Sequence, residues 1–183
     1  QQGDGSFRDP HPVLHRDVLT GDDQHASMTA FITLALIRSR QFLTENKNKT
    51  DISILKATRY LQEKLEKLRH SYAMAITAYC LSVHRPQGGA GLNAWSKLQS
   101  KAIKDKKDCY HWTNEIKDSQ TSIAIETAAY ALLTALQNGD SEWANKTACW
   151  LVSQENYFGG YRSSQDTIMA LEALSQYELN RTS

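Results

Sequence analysis

The sequence predicts an all-α protein, built as part of an α/α toroid in which inner and outer helices alternate. Apolar residues recur at helical spacing along almost all of the 183 residues, and no stretch alternates like a half-buried strand. A motif of threonine, alanine and an aromatic residue recurs at Thr29, Thr77 and Thr127, with separations of 48 and 50 residues. Each of these nearly apolar helices is followed by a more amphipathic one, which suits an inner and an outer layer.

The apolar runs and the residues that interrupt them place the individual helices. We expect seven helices, at 28–40, 52–68, 72–83, 92–103, 123–136, 143–152 and 167–177. Proline is confined to three positions before or between these helices, and the glycines cluster in PQGGAG, NGD and FGGY, where helices should stop. About three and a half helical pairs result, whereas a closed toroid of this class needs about six. We therefore expect residues 1–183 to be the C-terminal part of a single domain, and to expose an apolar inner surface when isolated.

Composition and charge argue against several classes of protein. The hydrophobic content of 40% is enough for a core, and a net charge of +1, with acidic and basic residues interspersed, indicates no nucleic-acid groove. No apolar run approaches the roughly 20 residues of a membrane span. Three cysteines without CxxC spacing predict neither a metal site nor a closed disulfide set, so at most one internal pair can form. Cys80 and Cys149, on apolar helix faces, are predicted to be buried thiols.

Three Asn-x-Thr triplets are candidate glycosylation sites, at Asn48, Asn145 and Asn180. Their use would make the protein secreted. A free thiol would then need burial or a partner outside this segment.

Four stretches carry a resemblance to a known family: QQGDGSF, MTAFITLAL, IETAAYALL and GGYRSSQDTIMALEALSQY. Together they resemble the thioester-containing domain of the complement and alpha-2-macroglobulin family, over essentially the whole chain. The last stretch is the most specific, and within the family DPHPVLHRD and TAFITLAL are most similar to the fourth component of complement, then to the third. Physically, Gly159 and Gly160 allow a tight turn, and Ser163 or Ser164 can cap the helix that follows.

The loop DPHPVLHRD, at residues 9–17, holds the main candidate site. The resemblance marks His15, which follows PVL, as the residue that selects the chemistry of an internal thioester. It gives Asp17 as an acidic residue that orients or polarises the imidazole. In family members with histidine here, the imidazole attacks the thioester carbonyl, the freed cysteine thiolate acts as a base, and a hydroxyl group takes the acyl group. Histidine suits this task because an ordinary pKa of about 6.5 leaves it neutral and nucleophilic in blood.

The resemblance also implies what the parent protein does. The family's thioester segment, Gly-Cys-Gly-Glu-Gln, does not occur in this chain, and the resemblance places it on the N-terminal side of residue 1. The implied protein is a secreted plasma opsonin that attaches to hydroxyl groups on target surfaces by single-use acyl transfer, not as a turnover enzyme. Its partners would be the rest of the parent complement chain and complement receptors and regulators, with no nucleic acid, membrane span, metal or cofactor.

Two other interpretations stay open. A family member without a thioester, such as the fifth component, would use the toroid as an interaction surface, although a loop with no thioester to attack has little reason to keep His15. The stretch at residues 1–7 also resembles the Gln-x-x-Asp-Gly-Ser-aromatic repeats of terpene cyclases. Terpene cyclases and the related prenyltransferases share the α/α toroid, but their chemistry needs an acidic cluster or a bound zinc ion. Apart from Asp4 and the isolated pair Asp22 and Asp23, which we expect in a loop, the sequence shows no such acidic cluster.

The remaining ionisable residues give one further candidate. Glu126 is a carboxylate on an otherwise apolar inner helix, and we interpret it as a hydrogen-bonded structural residue or, alternatively, as a residue near a site at the toroid mouth. The other histidines have no convergent spacing and are predicted to lie at the surface: His11, His25, His70, His84 and His111.

Overall fold

The computed structural model describes residues 1–9, 15, 18–112, 121–154 and 164–183. Over these ranges the elements are α1 (Gly21–Ser39), α2 (Lys47–Lys64), α3 (Ser71–His84), α4 (Gly89–Gln99), β1 (Ile103–Lys104), β2 (Tyr110–His111), α5 (Thr121–Gln137), α6 (Ser141–Ser153) and α7 (Ser164–Thr182). Short 3-10 turns extend α1 and α2. The predicted all-α class is confirmed. Within the described ranges, none of the helices has the length and apolarity that crossing a membrane requires.

The helices form two layers. Helices α1, α3, α5 and α7 pack side by side in that order, and α2, α4 and α6 lie against α1, α3 and α5 respectively. On α3 every residue from 72 to 82 is buried, and on α5 every residue from 123 to 135. The outer helices each bury one face. This arrangement is an arc of an α/α toroid, in the layer order that the repeat predicted.

The helices at the two ends of the inner layer carry exposed apolar side chains. Phe31 on α1 is 38% exposed, and Ile168 and Leu171 on α7 are 57% and 55% exposed. These side chains lie on the helices that have only one inner neighbour. They fit the expectation that the isolated chain exposes apolar surface, and the number of helical pairs in a closed ring stays a prediction.

Small residues let the inner helices approach one another closely, and the buried hydroxyl groups of Thr29 and Thr127 form hydrogen bonds within their own helices. The hydroxyl of Thr29 donates to the carbonyl of His25 at 2.7 Å, and that of Thr127 donates to the carbonyl of Ile123 at 2.6 Å. Each bond returns to the residue four positions earlier in the same helix, so a polar side chain is accommodated inside an apolar layer. At two of its three repeated positions the threonine thus bonds within its own helix, whereas the buried hydroxyl of Thr77 has no hydrogen-bond partner among the described residues.

A short hairpin, which the sequence did not predict, follows the fourth helix. Helix α4 ends at Gln99 and not at residue 103, because Ile103–Lys104 and Tyr110–His111 pair as antiparallel strands. The carboxylate of Asp105 accepts hydrogen bonds from two backbone amides of the connecting turn, both at 2.9 Å. Asp108 completes the turn with a φ of 64°, a region in which Asp is tolerated better than most residues.

Asp22 and Asp23 lie in the first turn of α1, not in the predicted loop. Asp23 Oδ1 accepts hydrogen bonds from the backbone nitrogens of Arg69 and His70, at 2.9 and 3.2 Å. Asp22 forms an ion pair with Lys64, 3.4 Å away. Carboxylates at a helix start are also stabilised by the helix dipole. Both side chains therefore join α1 to neighbouring elements.

The N-terminal turn at residues 1–9 joins α1 to α2. Gln1 Nε2 donates to a carbonyl of α2 at 2.9 Å, and the backbone nitrogen of Phe7 donates to Thr29 Oγ1 at 3.0 Å. Gly5 has a φ of 92°, and a Cβ atom there would stand 2.2 Å from the carbonyl oxygen of Lys56. Only glycine fits this close approach.

Asp4, the acidic residue of the stretch that resembles cyclase repeats, is held within the same turn. Its Oδ1 accepts hydrogen bonds from the backbone nitrogen and the hydroxyl of Ser6, at 2.9 and 2.6 Å, and its Oδ2 pairs with Arg8 at 3.1 Å. The bonds from Ser6, with the smaller effect of Arg8, hold the pKa of Asp4 below its usual range. Asp4 is therefore a turn-forming residue, and it does not combine with Asp22 and Asp23 into an acidic cluster.

The cysteines differ from the prediction at one position. Cys80 is buried and free, as predicted, but Cys149 forms a disulfide bond with Cys109, with their Cα atoms 5.6 Å apart, a normal separation. Cys149 lies on the exposed face of α6, which it shares with Asn145 and Val152, so the prediction of a buried thiol there is wrong. The bond joins the hairpin to α6.

His70, predicted to lie at the surface, is the N-cap of α3. Its Nδ1 accepts a hydrogen bond from the backbone nitrogen of Tyr72 at 3.1 Å, and a protonated ring cannot accept this bond. Burial lowers the pKa of His70 below its ordinary value, Asp23 acts in the opposite direction, and His15 lowers it further. The cap is therefore made by a neutral, half-buried imidazole.

Protonation of His70 at acidic pH is expected to remove the N-cap of α3 and so to lower the stability of the protein. In the unfolded chain His70 becomes protonated at about pH 6.5, whereas in the folded chain it becomes protonated only at a lower pH. The free energy of unfolding should therefore fall as the pH drops through about 6.5 towards the folded-state pKa. The variant His70→Asn keeps a capping side chain but does not titrate. Urea unfolding between about pH 7 and about pH 5 should show a smaller loss of stability for the variant than for the wild type. Equal losses would contradict the prediction.

Candidate functional site

His15 lies in the turn that leads into α1. Its carbonyl oxygen accepts hydrogen bonds from the backbone nitrogens of Val18 and Leu19, both at 2.9 Å. Its φ is 42°, in a region that residues other than glycine occupy infrequently. Leu19 is buried in the core, which anchors the turn. The local backbone thus holds the imidazole against the inner helices.

The imidazole contacts one residue on each of two inner helices. Its Nε2 lies 3.1 Å from Oε1 of Glu126 on α5. Its ring stands edge-on to Tyr72 on α3, with the ring centroids 4.7 Å apart and the planes at 71°. The ring of Tyr130 on α5 continues the cluster, 6.0 Å from Tyr72. The His15 side chain is 19% exposed and the Glu126 side chain 1%, so an accessible imidazole is backed by a buried carboxylate.

The surroundings of the Glu126 carboxylate are apolar and aromatic. Among the described residues, neither its Oε2 nor the buried hydroxyl of Tyr72 has a hydrogen bond of good geometry, but the Tyr72 hydroxyl interacts with Glu126 and with Tyr130. Burial raises the pKa of Tyr72 well above its ordinary value, and the nearby Tyr130 and Glu126 raise it further. Burial also raises the pKa of Tyr130, with Glu126 as the next cause. Both phenols therefore stay protonated at neutral pH.

The structure brings together two of the residues that the sequence singled out. It places Glu126 beside His15, a contact that fits both interpretations of Glu126, as a hydrogen-bonded structural residue and as a residue near a site. Asp17 lies outside the described residues, as do His11, Gly159, Gly160, Ser163 and the side chain of Ser164. The sequence analysis missed Tyr72, because one more aromatic residue in a buried inner helix gives no signal of a site.

Three of the other histidines, His25, His84 and His111, form none of the contacts of this cluster. Burial lowers the pKa of His25, His84 and His111 below the ordinary value, so these side chains are partly buried and not fully at the surface. Within the described part of the chain, no group of three or more His, Cys, Asp or Glu residues is arranged to hold a metal ion.

The three Asn-x-Thr triplets all lie on helices. Asn48, Asn145 and Asn180 are exposed, on α2, α6 and α7. In the first two triplets the threonine is buried, and Asn145 Oδ1 also accepts a hydrogen bond from the hydroxyl of Tyr177 at 2.7 Å. In the Asn180 triplet both the asparagine and the threonine are exposed. Asn180 is therefore the most accessible of the three in the folded chain, and glycosylation stays a prediction.

Comparison with known proteins agrees with the sequence motifs at the level of the family. A family model described as the A-macroglobulin TED domain matches residues 1–177. Complement C3 of Lethenteron camtschaticum is 34% identical, over 100% of this chain and 11% of its own length. Complement C3 of Naja naja is 33% identical over 98% of this chain, and venom factor of Crotalus adamanteus is 34% identical over 98%; the chain covers 10% of each. The chain thus spans about a tenth of the length of these relatives. It belongs to the A-macroglobulin TED domain family, as a complement-type member.

Proposed function

We propose that this chain is the C-terminal part of a complement thioester-containing domain, and that its parent protein attaches covalently to target surfaces through an internal thioester. In this proposal His15 directs the acyl group to hydroxyl groups. The observation that carries it is the placement of His15: the imidazole is partly exposed, two backbone hydrogen bonds hold its carbonyl, and its Nε2 lies 3.1 Å from a buried carboxylate. Membership of the TED family and relatives named complement C3 support it.

The reaction has two steps. An imidazole nitrogen of His15 attacks the thioester carbonyl carbon; a carbon–nitrogen bond forms, the carbon–sulfur bond breaks, and the cysteine leaves as a thiolate. A surface hydroxyl group then attacks the acyl-imidazole, its proton passes to the thiolate, and the carbon–nitrogen bond breaks to release the imidazole. Each molecule consumes its own thioester, so the process is a single acyl transfer and not turnover.

The proposal specifies the partners. Hydroxyl groups of carbohydrate or protein on the target accept the acyl group, and the remainder of the parent chain supplies the thioester. Complement receptors and regulators would read the deposited fragment, as in opsonisation. The parent would act as a secreted plasma glycoprotein, and the mechanism requires no metal or cofactor. Asp17, two residues after His15, is retained as an acidic group that orients or polarises the imidazole.

The test uses the parent protein, activated by proteolysis in the presence of labelled glycerol and labelled methylamine. Mass spectrometry measures the covalent incorporation of each label. The wild type should prefer glycerol, and His15→Asp should prefer the amine, because aspartate cannot form the acyl-imidazole. The control His84→Gln changes a histidine outside the site and should behave like the wild type.

Each of the other outcomes rejects part of the proposal. Glycerol uptake that persists in His15→Asp would show a working thioester that does not use His15. Incorporation of neither label by the wild type would show that there is no working thioester, and the domain would then serve as an interaction surface. The cyclase or transferase alternative requires an acidic cluster, which Asp4, Asp22 and Asp23 do not form. Each of these aspartates is engaged in a structural contact that does not involve His15.

A further inference from the structure

We propose that Glu126 is a positioning residue for His15. Its carboxylate keeps the imidazole proton on Nε2, and Nδ1 is then the nitrogen that attacks the acyl group. The inference rests on the proposed function and deepens it, because it names the attacking atom and the residue that selects it. It starts from the 3.1 Å contact between Glu126 Oε1 and His15 Nε2.

The buried carboxylate of Glu126 needs a positively charged or hydrogen-bonding partner. The side chain is 1% exposed in a helix whose residues 123–135 are all buried, and an isolated carboxylate in such surroundings is strongly disfavoured. Among the described lysines and arginines, none forms an ion pair with it, and its Oε2 has no hydrogen-bond partner there. Within the described residues, the imidazole of His15 and the hydroxyl of Tyr72 are the polar groups that interact with this carboxylate, and His15 is the one that can carry a positive charge.

The chemistry of the two groups determines the tautomer. A carboxylate only accepts hydrogen bonds, so the imidazole nitrogen that faces it must carry the proton. A neutral imidazole has one such proton, and Nδ1 is therefore left with a free lone pair. When Nδ1 bonds to the acyl carbon the ring becomes a cation, and the carboxylate beside Nε2–H stabilises that charge. The same division of roles between carboxylate and imidazole operates in Ser-His-Asp sites.

Other contacts already restrict the position of the imidazole. Two backbone amides hold the carbonyl of His15, at 2.9 Å each. The ring of Tyr72 lies against the imidazole, edge-on at 4.7 Å. Neither contact involves a ring nitrogen, so neither determines which nitrogen carries the proton. Among the described residues that choice falls to Glu126, which acts on the reaction through His15.

The experiment introduces Glu126→Gln into the parent protein, with and without His15→Asn. A glutamine amide can donate as well as accept, so it no longer holds the proton on Nε2. Glycerol incorporation after activation should fall about 10- to 100-fold, the range expected for a hydrogen bond to a charged group. The thioester content before activation, measured as thiol released by methylamine, should be unchanged. With His15→Asn already present, Glu126→Gln should leave methylamine incorporation unchanged.

A matched control separates the site from a general change of charge. Glu172→Gln removes an inner-layer carboxylate on α7 that pairs with Arg38 at 3.1 Å. This variant should incorporate glycerol like the wild type. If it loses glycerol uptake as Glu126→Gln does, the effect is not specific to His15 and the inference is wrong.

The remaining outcomes also decide the matter. Wild-type glycerol uptake by Glu126→Gln with an intact thioester would overturn the inference and leave the proposed function standing. Equal losses with and without His15→Asn would show that Glu126 supports the fold alone. If Glu126→Gln fails to fold, Glu126→Asp is the second variant, because it keeps the charge but shortens the side chain by one methylene. Glu126→Asp should lose glycerol uptake while its thioester stays intact. Wild-type glycerol uptake by Glu126→Asp would overturn the inference. A wild-type parent that takes up neither label rejects the proposed function, and the inference with it.

Discussion

Removal of the Cys109–Cys149 disulfide by the double substitution Cys109→Ser and Cys149→Ser is expected to lower the free energy of unfolding by about 4 kcal/mol. The two cysteines are 40 residues apart in sequence, and closing a loop of that length restricts the unfolded chain by about this amount. The loop contains the whole of α5, the inner helix that contacts α3, α6 and α7. Urea unfolding of the 183-residue chain and its double variant measures the difference.

Two controls accompany this measurement. A reducing agent should lower the stability of the wild type to that of the double variant and should leave the double variant unchanged. Alkylation of the denatured, unreduced wild type should label one cysteine, Cys80, which is the free thiol. Alkylation of all three cysteines would show that the bond does not form.

Truncation of Leu132 to alanine is expected to cost about 2–5 kcal/mol of unfolding free energy. Leu132 is fully buried in α5, and the cavity left by the substitution would lie inside the inner layer. The matched control is Leu171→Ala on α7, whose side chain is 55% exposed and whose loss should change stability by no more than about 0.5 kcal/mol. Both values come from urea titrations under the same conditions. Similar effects of the two substitutions would contradict the assignment of α5 to the interior.

The inner layer could be predicted because its signal repeats. Thr29, Thr77 and Thr127 stand at equivalent places in three inner helices, and each is fully buried. Burial on all sides removes polar residues from the whole helix, which is visible in the sequence without knowledge of neighbours. The start of α1 was harder to predict: Gly21 and the polar residues after it form a helical turn that lies outside the apolar pattern.

Other features depend on contacts that no local pattern reveals. Strands of two residues are too short to show alternation, so the hairpin after α4 gave no signal. Three cysteines allow three different pairs, and nothing near Cys109 or Cys149 distinguishes their pairing from the other two. His15 and Glu126 are far apart in the chain and meet because the turn before α1 places the imidazole against α3 and α5. The sequence could therefore name both residues but not their contact.

The burial of Cys80 has a consequence for the function proposed above, in which the parent protein holds a thioester. A thiol that ionises near a thioester can exchange with it and move the acyl group to the wrong sulfur. Cys80 is fully buried in α3, and burial raises the pKa of its thiol to about 12. At neutral pH only about one thiol in 10⁵ is then ionised. If the parent protein carries the proposed thioester, Cys80 would therefore not exchange with it before a surface is within reach.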